Sequence, residues 1–286
     1  FNLMGYQSIG VDPSPYMAKL AEKRNVKTII ELFDRKVGEQ ILKEYGKADL
    51  IIANNVFNHS DNPLDFAEAV ASLLTQNGRF VFELPYWMIG LKSKKFDQIY
   101  HEHVSYFTVK SSKKLLERAG MQIVSAKVVD YHGGSLRITA KRKDNLSIDS
   151  KEIEIMIKDE EQGGTFDEKV YINFMNELYE KKHKFLEKIH GLKKQGAKII
   201  AVGAAAKGNT FLNFYNLNNG VIDYVTDASE HKKGKFTPAT RIPICSDEIF
   251  GKYDNVYALI LSWNIANQLR DKLNVINPNI KFLVPD

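Results

Sequence analysis

Strand and helix alternate from the first residues of this chain, and that alternation limits the fold more than any other feature. Gln7-Ser8-Ile9-Gly10-Val11 is a short apolar run ending in Asp12-Pro13-Ser14, after which Met17, Leu20 and Ala21 fall at helical spacing. A second short strand over Lys27 to Leu32 precedes a helix over Lys36 to Tyr45. A third strand is expected over Ala48 to Asn54, where the continuous apolar run is the pattern of a fully buried parallel strand. Then follow a polar loop at Asn58 to Asp61, a helix over Leu64 to Leu74, a turn at Asn77-Gly78 and a fourth strand over Arg79 to Leu84. Beyond these come a helix over Ser111 to Ala119 and two strands, Met121 to Val129 and Ser135 to Lys141. Alternation of this kind predicts an α/β fold with a parallel sheet. The Gly133-Gly134 link is too short for a crossover, so the last two strands must be an antiparallel pair.

Residues 145–195 change character. They are rich in Glu and Lys, with Ile153, Met156 and Ile157, and later Val170, Phe174, Leu178, Phe185, Leu186 and Ile189, at helical spacing. This predicts amphipathic helices with solvated outer faces that bridge two domains. A second α/β unit opens with Ala197-Lys198-Ile199-Ile200-Ala201-Val202, continues through the loop Gly203 to Thr210 into a helix, and has further strands at Ile222 to Thr226, Tyr257 to Leu261 and Lys281 to Val284. The expected division is a domain over 1–144, a helical linker over 145–195 and a second domain over 196–286.

With 286 residues the chain has room for two domains. A formal net charge of +5 is spread among acidic residues without a basic stripe, which fits small anionic ligands better than nucleic acid. The single cysteine, Cys245, rules out an internal disulfide and a thiolate zinc site, and points to a reducing cytoplasm. No apolar run reaches the roughly 18 residues of a membrane span. The chain opens at Phe1 without methionine and enters a strand almost at once, which suggests a segment of a longer protein.

The strongest chemical signal is Tyr100-His101-Glu102-His103, where two imidazoles, a carboxylate and a phenol crowd the region after the fourth strand. Histidine titrates near neutrality and can accept and return a proton, so the cluster is equipped for proton transfer on a loop held by a rigid scaffold. His101, His103 and His132 are also candidate metal ligands, because His-x-His on an extended segment turns both rings to one side. Asp12, after the first visible strand, can accept both hydroxyls of a ribose; Asp-Pro-Ser equally reads as a helix N-cap. The loop Gly203 to Thr210 has the glycine spacing and final threonine of a phosphate-binding loop, but Asn209 stands where the lysine belongs and Lys207 precedes Gly208. Anion binding at the helix start is compatible with that sequence, as is a simple tight strand-to-helix turn; nucleoside triphosphate hydrolysis does not follow.

Taken together, several strings resemble the S-adenosylmethionine-dependent sugar C-methyltransferases, which act on nucleotide-linked deoxysugars. They are Gly10-Val11-Asp12-Pro13-Ser14, Ala53-Asn54-Asn55-Val56-Phe57-Asn58-His59, Phe96 to His103, His132-Gly133-Gly134-Ser135-Leu136-Arg137 and Gly203 to Thr210. Asp227, His231 to Pro238 and Ser262-Trp263-Asn264 add to them. The resemblance spans nearly the whole chain and implies a class I methyltransferase (Rossmann-like) domain, a helical linker and a second, C-terminal Rossmann-like domain that takes the substrate. It implies Asp12 on the adenosine ribose, with Asn54 and Asn55 at the cofactor. It places the catalytic base at His103 with Tyr100 and Glu102 beside it, a second active-site histidine at His59, and substrate contacts at His132, Arg137, Lys207 and Asn209.

The implied reaction is C-methylation of a keto-deoxysugar through an enolate. Such enzymes also carry an N-terminal zinc-binding domain and a glycine-rich first strand, neither of which is in this sequence. In their sheet order 3-2-1-4-5-7-6 that strand is central, between the strands ending at Asp12 and Asn54, so the methyltransferase domain is incomplete here and this segment alone is expected to be inactive. Two other classes compete: a nucleotide-sugar-binding module without chemistry, and an NAD-dependent nucleotide-sugar enzyme, for which Tyr106 and Lys110 are the only residues near the tetrad with the Tyr-x-x-x-Lys spacing.

Overall fold

The computed structural model describes residues 1–131, 133–143 and 150–284. In chain order the elements are β1 (Ile9–Val11), α1 (Pro15–Glu22), β2 (Lys27–Ile29), α2 (Arg35–Tyr45), β3 (Ala48–Asn54), α3 (Pro63–Leu73), β4 (Leu74–Pro85), α4 (Trp87–Lys92), α5 (Val109–Arg118), β5 (Met121–Val129) and β6 (Ser135–Arg142). There follow α6 (Lys151–Gln162), α7 (Glu168–Lys194), β7 (Lys198–Val202), α8 (Ala206–Phe214), β8 (Tyr224–Thr226), β9 (Ile244–Cys245), β10 (Val256–Ile260), α9 (Ala266–Ile276) and β11 (Lys281–Leu283). Two compact units result: unit one is Phe1–Trp87 with Val104–Gly163, and unit two is Met88–His103 with Gly164–Asp286.

In unit one, β1 and β2 form a parallel pair, and a separate four-stranded sheet has the order β3-β4-β6-β5. β3 and β4 are parallel, and β6 runs antiparallel to both β4 and β5, as its short link to β5 requires. The expectation that β3 is fully buried is corrected. Leu50 and Ile52, two residues apart on one face of β3, are 44% and 45% exposed, so that face is open at these positions; β3 is also an edge strand whose only partner among the described residues is β4. Asn77-Gly78 lies within β4 instead of preceding it, yet the ladder breaks there: Ala48 pairs with Leu74 and Leu50 with Arg79, so the intervening residues bulge out.

Local chemistry explains the helix starts. Asp34 and Asn62 accept hydrogen bonds from the N–H groups of Val37 and Asp65, Pro63 opens α3, and Thr108 and Ser111 form a reciprocal capping box on α5. The core of unit one is aromatic. Phe57, fully buried, lies 5.1 Å from Phe66, 5.0 Å from Phe82 and 5.2 Å from Phe107, ring centre to ring centre. That anchor fixes the turn after β3 which carries Asn58 and His59.

The two linker helices are claimed by different units. α6 docks on unit one through Glu160, whose fully buried carboxylate accepts from Val109 N–H (2.5 Å), Lys110 N–H (3.0 Å) and the Tyr86 hydroxyl (2.8 Å). A carboxylate at the start of α5 is favoured by the helix dipole. Burial, helped by the bond to Glu160, pushes the Tyr86 phenol far above its ordinary range. α7 belongs to unit two, where Lys193 near its end reaches Asp223 at 2.9 Å. The expected boundary at 144–145 lies outside the described residues.

Unit two holds a five-stranded, all-parallel sheet of order β11-β10-β7-β8-β9. Its central strand shows why. Ile199 and Ala201 face a cluster with Ile189, Phe211, Leu212 and Tyr215, while Ile200 and Val202 face one with Phe250, Ala258 and Leu273. Both faces are covered, so the strand reads as continuously apolar. The chain leaves β7 toward β8 and β9 on one side and returns at β10 on the other. The carboxyl ends of β7 and β10 therefore border a topological switch point, the usual place for a ligand crevice in such a sheet.

Candidate functional site

The tetrad sits in unit two, on the segment Met88–His103. Side chains hold this segment in place. Phe96 packs on α8, with ring centres 4.6 Å from Phe214 and 6.1 Å from Phe211, and Lys94 pairs with Glu177 on α7. Asp97 and Gln98 are buried in a single turn of 3-10 helix. A further turn, closed by a 2.9 Å bond from His103 N–H to the Tyr100 carbonyl, brings the two side chains together. The Tyr100 hydroxyl and His103 Nε2 are 2.9 Å apart, the rings lie 4.1 Å apart, and His103 is only 8% exposed. His101 and Glu102 point outward, with side chains 85% and 53% exposed and a contact of 3.9 Å between them. Tyr100, rather than Glu102, thus touches His103. His101 and His103 also differ too much in setting to form a common ligand pair, and no group of three His, Cys, Asp or Glu among the described residues is arranged to hold a metal. His132 lies outside the described residues.

Asp97 accepts a 2.6 Å hydrogen bond from the Trp263 indole N–H. Burial pushes its carboxyl up, opposed by that bond and by the charges of Lys207 and Lys95. The ammonium groups of Lys95 and Lys207 lie 4.9 and 5.3 Å from the Trp263 ring centre. Lys207 Nζ and Asn209 Oδ1 are both buried without a hydrogen-bond partner among the described residues, and burial lowers the Lys207 ammonium against the pull of Asp97. Sequence reasoning named Lys207 and Asn209 but gave no role to Asp97 or Trp263, although both lie in strings that carry the family resemblance.

The loop at the switch point is built for close packing. Gly203 has φ +102, and a Cβ there would meet Ser262 Oγ at 2.2 Å; a Cβ on Gly208 would meet the Gly203 carbonyl at 2.8 Å and Leu261 at 2.9 Å. Asp227, at the end of β8, accepts from Ala204 N–H (2.9 Å), Ser229 N–H (2.9 Å) and Lys232 Nζ (3.1 Å). Burial alone would raise its carboxyl, but these donors outweigh it and hold Asp227 below the ordinary range. The glycines therefore serve the turn, and one loop amide is already occupied by Asp227.

Unit one carries the remaining candidates. Asp12 ends β1 half-buried, and its Oδ1 accepts from Ser14 N–H at 2.8 Å; Ser14, not Asp12, caps α1. Asn54 is exposed at the carboxyl end of β3, and Asn55 takes φ +53 as it bonds through its N–H to the Glu83 carbonyl at 2.6 Å. Arg137 faces Glu83 across the β4–β6 ladder and pairs with its carboxylate at 2.7–2.8 Å, so Asn55, Glu83 and Arg137 meet at one end of the sheet. His59 is exposed on the turn anchored by Phe57. Of the pair with Tyr-x-x-x-Lys spacing, Lys110 bonds to Glu161 at 2.5 Å, and burial raises the Tyr106 phenol.

Alternating strands and helices, with an all-parallel sheet covered on both faces in unit two, make a Rossmann-like α/β architecture. Residues 130–285 match the model of the C-methyltransferase C-terminal domain and residues 1–126 that of a methyltransferase domain. The chain belongs to the C-methyltransferase family. It is 31% identical to C-methyltransferase NovU of Streptomyces niveus over 100% of this chain and 68% of that protein. An uncharacterised protein of Methanocaldococcus jannaschii is 25% identical over 41% of this chain and 57% of its own length. Among solved structures, Burkholderia thailandensis 1,6-didemethyltoxoflavin-N1-methyltransferase is 21% identical, with 50% of this chain and 64% of that chain covered and a TM-score of 0.37.

Proposed function

We propose that the protein methylates a carbon next to the ketone of a nucleotide-diphosphate-linked deoxysugar, with S-adenosylmethionine as methyl donor and His103 as general base. The observation that carries the reading is the buried His103 imidazole held at 2.9 Å by the Tyr100 hydroxyl. Carbon beside a ketone becomes nucleophilic only when its proton leaves, which calls for a base that titrates near neutrality. The His103 ring nitrogen without a proton takes it, the C–H electrons form the enolate, and the enolate carbon bonds the incoming methyl group. S-adenosylmethionine, when bound, supplies that methyl on a positively charged sulfur.

Tyr100 fixes the imidazole plane and tautomer, Glu102 bears on the substrate from the exposed side of the tetrad, and His59 polarises the substrate. The donor set in unit one fits an adenosine: Asp12 Oδ1 is spent on Ser14, and its other oxygen has no partner among the described residues and can receive a ribose hydroxyl. Asn54 and Asn55 stand at the cofactor side. Lys207 and Asn209, together with His132 and Arg137, are assigned to the substrate; a buried ammonium and a buried amide oxygen that lack partners among the described residues suit a ligand offering both an anionic or hydroxyl acceptor and a donor.

The test supplies full-length protein with methyl-labelled (13C) S-adenosylmethionine and a panel of nucleoside-diphosphate-linked keto-6-deoxyhexoses. A carbon-bound methyl resonance in the sugar is expected. Calorimetry should show binding of S-adenosylhomocysteine but not of NAD, and the opposite preference would overturn the reading.

A further inference from the structure

We infer that Asp97 and Trp263 are positioning residues for His103: their hydrogen bond sets where the proton-accepting imidazole stands. This rests on the reading of His103 as the base. Between α4 and His103 the chain has only short turns, with no long helix or strand ladder to hold its register. Its position is set by what its side chains grip. Phe96 supplies an apolar grip on α8, which by itself leaves the segment free to slide over an aromatic surface.

Lys94 adds a partly exposed ion pair with Glu177, and Asp97 adds a buried, directional bond. Its 2.6 Å bond joins residues 166 positions apart, and both oxygens of the carboxylate belong to a residue only 7% exposed, so releasing the indole N–H would strand a buried carboxylate. Trp263 in turn follows β10 at the switch point, while Lys207 comes from the first turn of α8 and bears on both partners, through its charge on Asp97 and its position over the indole ring. The tetrad is thereby referenced to the crevice of the second unit, the place where the substrate is proposed to bind. Proton transfer is steeply sensitive to such placement, since a misplacement of about 1 Å can cost on the order of 100-fold in rate.

The experiment compares Trp263→Phe, Asp97→Ala, Asp97→Asn, the Trp263→Phe/Asp97→Ala double variant and His103→Asn in the full-length protein. Trp263→Phe and Asp97→Ala should each lower kcat by roughly 10- to 100-fold while leaving KM for S-adenosylmethionine unchanged. The double variant should be no worse than the poorer single one, because both remove the same bond. Asp97→Asn, which keeps an acceptor oxygen for the indole, should recover most of the rate.

A second readout needs no substrate. The imidazole proton resonance of His103, identified by its loss in His103→Asn, should shift in Trp263→Phe and return toward its place in Asp97→Asn. Parent-like kcat in Trp263→Phe, or a loss of rate with an unmoved His103 resonance, would overturn the positioning role. Unchanged turnover in His103→Asn would overturn the base assignment instead, with the resonance still deciding whether the Asp97–Trp263 bond places His103.

Discussion

Glu160 offers the most quantitative test of how unit one is assembled. Its carboxylate accepts from Val109 N–H, Lys110 N–H and the Tyr86 hydroxyl, and Val109 and Tyr86 are 0% and 1% exposed. Glu160→Ala leaves these donors in place and removes their acceptor. At about 1–3 kcal/mol for the buried Val109 N–H left unpaired, with about 1 kcal/mol for each lost bond from Lys110 N–H and the Tyr86 hydroxyl, the loss is about 3–5 kcal/mol. For a unit of this size that is roughly a 10 °C fall in melting temperature. Glu160→Gln retains one acceptor oxygen but turns an NH2 group toward a remaining donor, so about half the loss is expected. Thermal unfolding by calorimetry gives the magnitude, and amide hydrogen exchange at Val109 and Lys110 locates it, both amides exchanging faster in Glu160→Ala. The Tyr86 phenol should titrate lower in the variant than in the parent yet stay above its ordinary range, since burial is the larger cause of its elevation. A fall below about 1 kcal/mol, or protection unchanged at Val109, would refute the argument that α6 is fastened to unit one through this side chain.

Three other outcomes follow from described features. His103→Asn should cut turnover by about 10²- to 10⁴-fold and leave S-adenosylhomocysteine affinity unchanged in calorimetry, because a base acts on the transition state. Lys207→Met removes a cation whose Nζ is buried without an acceptor among the described residues; it should raise the melting temperature by a few degrees, about 1 kcal/mol, while increasing KM for the nucleotide sugar more than for S-adenosylmethionine. Asp223 is held below the ordinary carboxylate range: burial acts to raise it, but bonds from Lys193, Ile199 N–H and Lys198 prevail. Its folded pKa thus lies under the unfolded value of about 3.9, so its stabilisation is complete above that value and drains away as pH falls through the folded pKa. Urea midpoints measured between about pH 6 and pH 2 should decline less steeply in Asp223→Asn than in the parent, from a lower neutral plateau.

The sequence was most legible where a local pattern and the tertiary environment agreed. Met121–Val129 emerges with the bounds its residues predict, and the short link after it dictates an antiparallel partner. β7 reads as apolar throughout because both its faces are in fact covered. β3 reads the same way and is exposed, since apolar content records what a strand is suited to pack against, not whether a neighbour is there. α6 looked like a solvated bridge because a Glu among Glu and Lys carries no mark of burial; only its three donors, 50 to 74 residues away, reveal its place. The tetrad announced itself by chemistry at adjacent positions, whereas the Asp97–Trp263 bond depends on the pairing of two distant strings, each unremarkable alone.

The segment that bears His103 is encoded in the first half of the chain but folds with the second, and the chain passes between the units three times, after Trp87, His103 and Gly163. Heredity and architecture therefore divide this protein differently. A chimera that joins the first 130 residues of this chain to the remainder of a relative would look like a clean exchange of domains on paper. In the folded protein it would seat a resident Asp97 and Phe96 against a foreign Trp263 and α8, so the exchange would be made inside the anchorage of the tetrad. A graft respecting the fold must carry residues 88–103 along with everything after 163.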